Sequence, residues 1–408
     1  MYPKMVPLRQ RFPADEVPDL TGAIRAGLRA LRLAERLRPR APVALGVGSR
    51  GVSPLGEVVG AILDELRAAG LAPFVVPAMG SHGGGTAEGQ RAVLAGYGIS
   101  EERLGVPIRS SMATVVVGRT QAGLPVHMDA EAAGADGIVV LGRVKPHTGF
   151  HADIESGLCK MLAVGLGKAD GARAIHAAGL AEAIPAAARV ALDAAPVVAG
   201  VALVENAYDR PCRVEVVGPE GFHATDRELL VEARRRFPRV PLDAADLVIV
   251  DEMGKNISGT GMDPNVIGMW RRFGGERRPN FGRVAVLGLC PESHGNANGL
   301  GLADFTTRRL VDAVDWRETY LNALTALDPA IAKTPVTLET DRACIDTALD
   351  VLGRATGRAP TVVRIKNTLE LAELCVSEPL VASLPRDGSV EVAGPPEPLR
   401  FSAEGRLL

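Results

Sequence analysis

Short apolar runs alternate along this chain with segments whose apolar residues recur every three to four positions. The run APVALGVGS (41–49) predicts a buried strand, and residues 55–70 predict an amphipathic helix that Gly70 ends. The pattern then repeats: a strand at 72–80, a glycine loop, a helix over 87–96, strands at 113–120 and 136–144, helices over 171–183 and 184–193, and a strand at 197–205. Strands that read as near-continuous apolar runs are buried on both faces, as in parallel sheets covered by helices. A charged helix over 226–237 leads into the Pro-rich hinge FPRVPLDAA. Beyond it, strands at 245–252, 282–290 and 361–367 and a helix at 306–314 resume the same style. The fold class is therefore α/β, with two α/β domains of mostly parallel sheets, residues 1–240 and 241–408.

Composition narrows the field without choosing within it. Of 408 residues, 47% are hydrophobic and 23% charged, with a formal net charge of -2, ordinary for a soluble globular protein. No basic patch interleaves with aromatics, so nucleic acid is not an expected partner. No apolar run reaches membrane-spanning length, and the N-terminus lacks the apolar core of a signal peptide. The five cysteines are dispersed and form no CxxC, which argues against a zinc knuckle or cysteine-ligated cluster and fits a reducing cytoplasm.

Candidate chemistry gathers in loops that follow strands: GSRGVS (48–53), GSHGGGT (80–86), RVKPHTGFH (143–151), DEMGKN (251–256) and CPESHGN (290–296). In α/β sheets ligands bind at the carboxyl ends of strands. The 80–86 loop lacks the phosphate-loop spacing and its lysine. His82 is either an acid/base group or a loop histidine satisfied locally. His147 follows a proline that restricts its backbone. Together the two imidazoles suggest the opposed acid/base pair that a racemase or epimerase needs, or an incidental turn. Lys160 lies in the apolar, glycine-bounded segment SGLCKMLAVGLGK, where a lysine is costly unless paired or used covalently; the alternative is a snorkelling lysine. His176 follows sixteen positions later and is a candidate metal ligand. No HxH or HxxxH with a third ligand accompanies it, so no protein-only metal cage is expected. Lys255 could clamp a substrate carboxylate or sit on a surface loop. Glu292, His294 and Asn296 could line a cleft or form a turn. A conventional NAD enzyme is disfavoured, since no GxGxxG with a distal acidic residue is present.

Taken together, these residues resemble the nickel-dependent lactate racemase family, whose members use a nickel-pincer nucleotide. The family's proline-histidine, SGGxK and later histidine are matched by Pro146-His147, Ser156-Gly157-Leu158-Cys159-Lys160 and His176, with Gly165 five residues after the lysine. Its glycine-x-histidine loop with a following threonine is matched by Gly80-Ser81-His82 and Thr86. Its D-x-T-R segment is echoed by Val47-Gly48-Ser49-Arg50, and a lysine of its second domain by Lys255.

The resemblance implies a cofactor in a cleft between two α/β domains. Lys160 would carry the pincer nucleotide (pyridinium-3-thioamide-5-thiocarboxylic acid mononucleotide nickel) through a thioamide, and His176 would complete the nickel coordination. Gly165 and Thr86 would line the cofactor. His82 and His147 would be the acid/base pair. Arg50 and Lys255 would hold anionic groups, with His151 and His294 toward the substrate. The implied activity is racemisation or epimerisation of a 2-hydroxy acid by reversible hydride transfer. Cofactor maturation proteins would be partners, and a homo-oligomer is the common default. The chain departs from the family at Val47, in SGLCK, and in a longer histidine-to-lysine spacing that brings in His151, Asp153 and Glu155. These departures point to a divergent subgroup with a substrate other than lactate. A nickel-free lyase or dehydratase, and a nucleotide-binding protein, are the competing readings.

Overall fold

The apolar run at 41–49 becomes the strand Pro42–Val47, buried throughout after its first residue. It lies between Ala72–Pro77 and Gly137–Arg143 and runs parallel to both. Val197–Glu205 continues the sheet in parallel, and Pro211–Val217 closes that edge antiparallel. A computed structural model describes residues 2–49 and 53–408, and this sheet is the frame of one of its two units, Pro13–Phe237.

Both faces of the sheet are covered, which explains why its strands read as unbroken apolar runs. Val43, Leu45 and Val47 point into a core with Val58, Ile62 and Leu66 of the helix Leu55–Ala68. Ala44, on the alternate side, joins Phe74, Ile138 and Val140 in a second core with Leu158, Leu162, Ile184 and Phe222. Burying a side chain of this size contributes roughly 1.5–3 kcal/mol.

The second unit comprises residues 2–12 and Pro238–Leu408. Its sheet has a parallel half, in which Ala244–Met253 pairs with Asn280–Leu289 and Val362–Ile365, and Phe305–Thr307 and Val336–Leu338 extend the first of these. The other half is antiparallel: Glu373–Ser377 pairs with Val362–Ile365 and with Lys4–Gln10.

That last pairing corrects the expected division at 1–240 and 241–408. The first strand belongs with the C-terminal residues, where Val6 and Leu8 are buried beside Val376 and Leu374. Other differences have local causes. Thr114–Arg119 pairs with an unforeseen strand, Pro125–Asp129, in a two-stranded sheet of its own. The helices expected over 171–183 and 184–193 are Lys168–Ala178 and Leu180–Ala194, divided at Gly179, whose φ of +90° suits glycine. The charged helix starts at Phe222 rather than 226 because Phe222 is buried. Among the described residues, no helix is long and apolar enough to cross a membrane.

Candidate functional site

Three loops leave the carboxyl ends of the adjacent strands Ala72–Pro77, Pro42–Val47 and Gly137–Arg143. The loop after Pro42–Val47 carries Ser49, whose hydroxyl meets Nδ1 of His82 from the loop after Ala72–Pro77. Tyr97 steadies the first loop by donating to the Ser49 carbonyl at 3.0 Å. Ser53, where the described chain resumes, donates its N–H to Glu205 at 3.1 Å, and Glu205 is paired with Arg143. Arg50 lies outside the described residues. Thr86 caps the helix Ala87–Gly96: its hydroxyl accepts from the Gly89 N–H at 3.0 Å and donates to the Gly83 carbonyl at 3.3 Å.

The third loop is organised by Glu155, which is fully buried. Its carboxylate accepts the N–H of His147 at 2.6 Å, the N–H of Ala152 at 3.1 Å and Nη2 of Arg234 at 2.6 Å, and lies 3.0 Å from Nδ1 of His151. Burial alone would raise its pKa. The hydrogen bonds from His151, His147, Arg234 and Ala152 outweigh that and hold it below the usual carboxylate range. His147 is half-buried, its ring 4.6 Å from that of Phe150, and its Nδ1 accepts the Gly149 N–H at 2.9 Å. His151 is exposed. The loop closes where Ser156 bridges both backbone groups of Lys145, at 2.7 and 2.5 Å.

Lys160 follows directly. Asp226, buried on the helix Phe222–Arg236, accepts the N–H groups of Leu158 and Cys159, one on each oxygen at 2.8 Å, and so caps the turn Leu158–Lys160. Burial pushes Asp226 up to about 6, against the pull of those N–H groups. Met161–Gly165 then winds as a π-helix, a form that recurs at functional sites. Gly165 allows this segment to close on the strand end: a Cβ there would stand 2.8 Å from the Ala78 carbonyl. The Gly165 carbonyl accepts the Gly80 N–H at 3.0 Å, tying the Lys160 segment to the His82 loop. At Gly48 a Cβ would stand 3.3 Å from the methyl carbon of Met161. His176 is half-buried in the last turn of Lys168–Ala178, one turn beyond Ala172, which packs against Gly80.

Lys255 and His294 lie in the other unit. The Lys255 ammonium donates to the Gly259 carbonyl and to Oδ1 of Asn322, each at 2.6 Å. Its N–H meets Ser293 at 2.9 Å, next to the exposed His294, whose φ is +48°. These two therefore neighbour each other, and the Lys255 head group has acceptors within its own unit.

Sequence reasoning did not assign Ser49, Gln90, Asp129, Glu155, Lys168 or Asp226 to the site. Ser49 stands inside a motif already singled out. The carboxylates act across loops and helices whose paths no local pattern reveals. Among the described residues, no three or more His, Cys, Asp or Glu are grouped to hold a metal ion.

Residues 15–184 match the family model described as the lactate racemase N-terminal domain, a stretch that includes His82, His147, Lys160 and His176. No curated protein matches this chain in sequence. Among solved structures, the lactate racemase apoprotein from Thermoanaerobacterium thermosaccharolyticum is similar at a TM-score of 0.55 and 13% identity, over 90% of this chain and 99% of that one. At that identity the likeness speaks for the fold. Residues 15–184 are thus similar to the N-terminal domain of lactate racemases, and the chain as a whole shares the fold of a lactate racemase apoprotein.

Proposed function

We propose that this protein is a racemase or epimerase of a 2-hydroxy acid and that it works with a nickel-pincer nucleotide. What supports this reading is that, inside the matched domain, His82 and His147 lie on loops that follow strands of one sheet, and the His82 loop is bonded to the Lys160 segment through Gly80 and Gly165.

The residues present fit such a group. A single amine at Lys160 and a single imidazole at His176 suit a molecule that brings most of its own metal ligands; they would not suffice for a bare ion. The glycines at 48, 80 and 165 let the Lys160 segment pack closely against the strand ends, where a Cβ would crowd Met161, Val164 or Ala78. Lys160 would hold the group covalently, and His176 would complete the coordination. When bound, the group would supply reversible acceptance of hydride from the carbinol carbon.

The protein's own part is proton transfer and orientation. Because Nδ1 of His147 accepts the Gly149 N–H, its neutral ring would carry its proton on Nε2 and offer that N–H as a hydrogen-bond donor to the substrate oxygen; it would act as an acid only once protonated on both nitrogens. In the tautomer that donates Nδ1–H to Ser49, His82 would serve through Nε2 as the base for the substrate hydroxyl. Exposed His151, held to Glu155, is the weaker candidate for the second acid/base and would touch substrate from the loop edge. Glu155 and Asp226 position the loop and the lysine turn. The polar additions to this loop favour a substrate more polar than lactate.

The test is interconversion of 2-hydroxy-acid enantiomers or epimers labelled with deuterium at the carbinol carbon, by protein made in a host that builds the cofactor. Interconversion with deuterium retained is expected, because hydride would leave and return without meeting water. Wash-out into solvent would point to proton abstraction and contradict the hydride reading. His82→Ala and His147→Ala are each expected to lose about 10²–10⁴-fold in turnover with metal content unchanged. Full activity in both would remove the acid/base assignment.

A further inference from the structure

Lys168 is among the largest fully buried side chains in the protein and plays no part in the mechanism above. Its ammonium lies 3.0 Å from Oδ2 of Asp129, itself fully buried, and donates to the Pro77 carbonyl at 2.5 Å and to Oε1 of Gln90 at 3.1 Å. Its backbone is left-handed, with φ +54°. Burying an ion is costly even when it is paired, and a left-handed backbone at a residue other than glycine adds strain. Methionine in the same space would avoid the charge cost, so stability alone does not account for a lysine here.

What the lysine does to Gln90 accounts for it. An ammonium has donors and no acceptor, so the buried Gln90 must present its oxygen to Lys168. Its amide nitrogen is then directed to the opposite side, where it donates to the Gly80 carbonyl at 2.9 Å and the His82 carbonyl at 3.3 Å. The loop so held contains Gly80, Gly83, Gly84 and Gly85, all with φ near +60°. A backbone this permissive needs outside bonds to keep one shape. Lys168 grips the loop where it leaves the strand, at Pro77, and Gln90 grips it on either side of Ser81. Asp129 anchors the lysine in turn, since its Oδ1 also caps the turn at Ala132, at 2.9 Å.

We infer that Lys168 is a positioning residue for His82, acting through Gln90 to fix the loop on which the imidazole meets Ser49. The inference rests on the acid/base role proposed for His82.

The test uses the full chain with Gln90→Met, and separately with the paired neutral change Lys168→Met and Asp129→Asn. The readout is the pair of ring ¹⁵N shifts of His82, which report its tautomer. In the wild type one tautomer is expected, fixed against Ser49. In both variants the His82 ring nitrogens are expected to move toward averaged values, while those of His147, on its own loop, stay in place. Where the protein interconverts hydroxy acids, kcat should fall about tenfold with KM within about twofold, the signature of a misplaced group. Folded variants whose His82 shifts equal the wild type's would overturn the inference, however much stability they lost. Should the double change fail to fold, Gln90→Met decides alone, because it leaves Lys168 with Asp129 and Pro77; Gln90→Glu, which keeps the bond to Lys168 but removes both donors, stands behind it. The ring nitrogens report whether or not turnover occurs. Expected shifts without any wild-type interconversion would sink the acid/base reading and leave the positioning intact.

Discussion

Glu155 shows how much of the site depends on a side chain with no chemistry of its own to perform. Four donors converge on one buried carboxylate, and the His147 backbone is one of them. Its pKa is held below the ordinary range, so its stabilising contribution is present above about pH 4.3, the unfolded value, and is lost as pH falls through the lower folded value. Glu155→Gln should therefore cost about 1–3 kcal/mol at pH 7, read by urea unfolding, with the gap to wild type closing in acid. Faster proteolytic cleavage within 145–156 should accompany it. A gap that did not change with pH would contradict the ionised clamp. At this scale the histidines and Lys160 stand out in the sequence as candidates, because histidine is rare in this chain and a lysine is conspicuous in an apolar segment. Glu155 and Lys168 were visible as residues, but their roles were not, since each acts on groups that the fold brings near.

Elements were legible where burial is two-sided. Val197–Glu205 has the span that its apolar run predicts, and its first eight residues are buried. Pro211–Val217 was missed because it is an edge strand of mostly intermediate exposure, with no clean alternation to mark it. The turn carrying Lys160 illustrates a third case, in which an element's end is set from outside. Asp226 caps Leu158 and Cys159 from a different helix. Its pKa is raised to about 6, so between about pH 4 and 6 the folded protein keeps a proton that the unfolded chain has released. Its contribution to stability is full below that window and declines as pH rises through it. Asp226→Asn places an N–H₂ against one backbone N–H and should destabilise by about 1–3 kcal/mol. The difference from wild type should narrow from pH 4 to 6 in thermal melts. A difference that widened over that range would contradict the raised carboxyl.

For the whole molecule, the sequence conveyed two α/β units and a change of unit near Phe237, and it mislaid the first strand. A seven-residue strand, five of whose residues pair with a strand more than three hundred and sixty positions away, leaves no local trace. Leu8, 1% exposed, faces Leu374 and Val392 across its two neighbours. Leu8→Ala should cost about 2–5 kcal/mol, with increased hydrogen exchange in the sheet of residues 2–12 and 238–408 and none in the sheet around Pro42–Val47. Equal loosening of both sheets would contradict the assignment of this strand to one unit.

The central claim concerns what Lys160 carries. Intact-mass spectrometry with peptide mapping, alongside metal analysis, on protein from a host shown to make the pincer nucleotide tests it most directly. Nickel in proportion to protein and a mass increment on the peptide bearing Lys160 are expected, both lost in Lys160→Ala. Folded protein with neither nickel nor adduct would contradict it and turn attention to a nickel-free lyase or a binding role on the same fold.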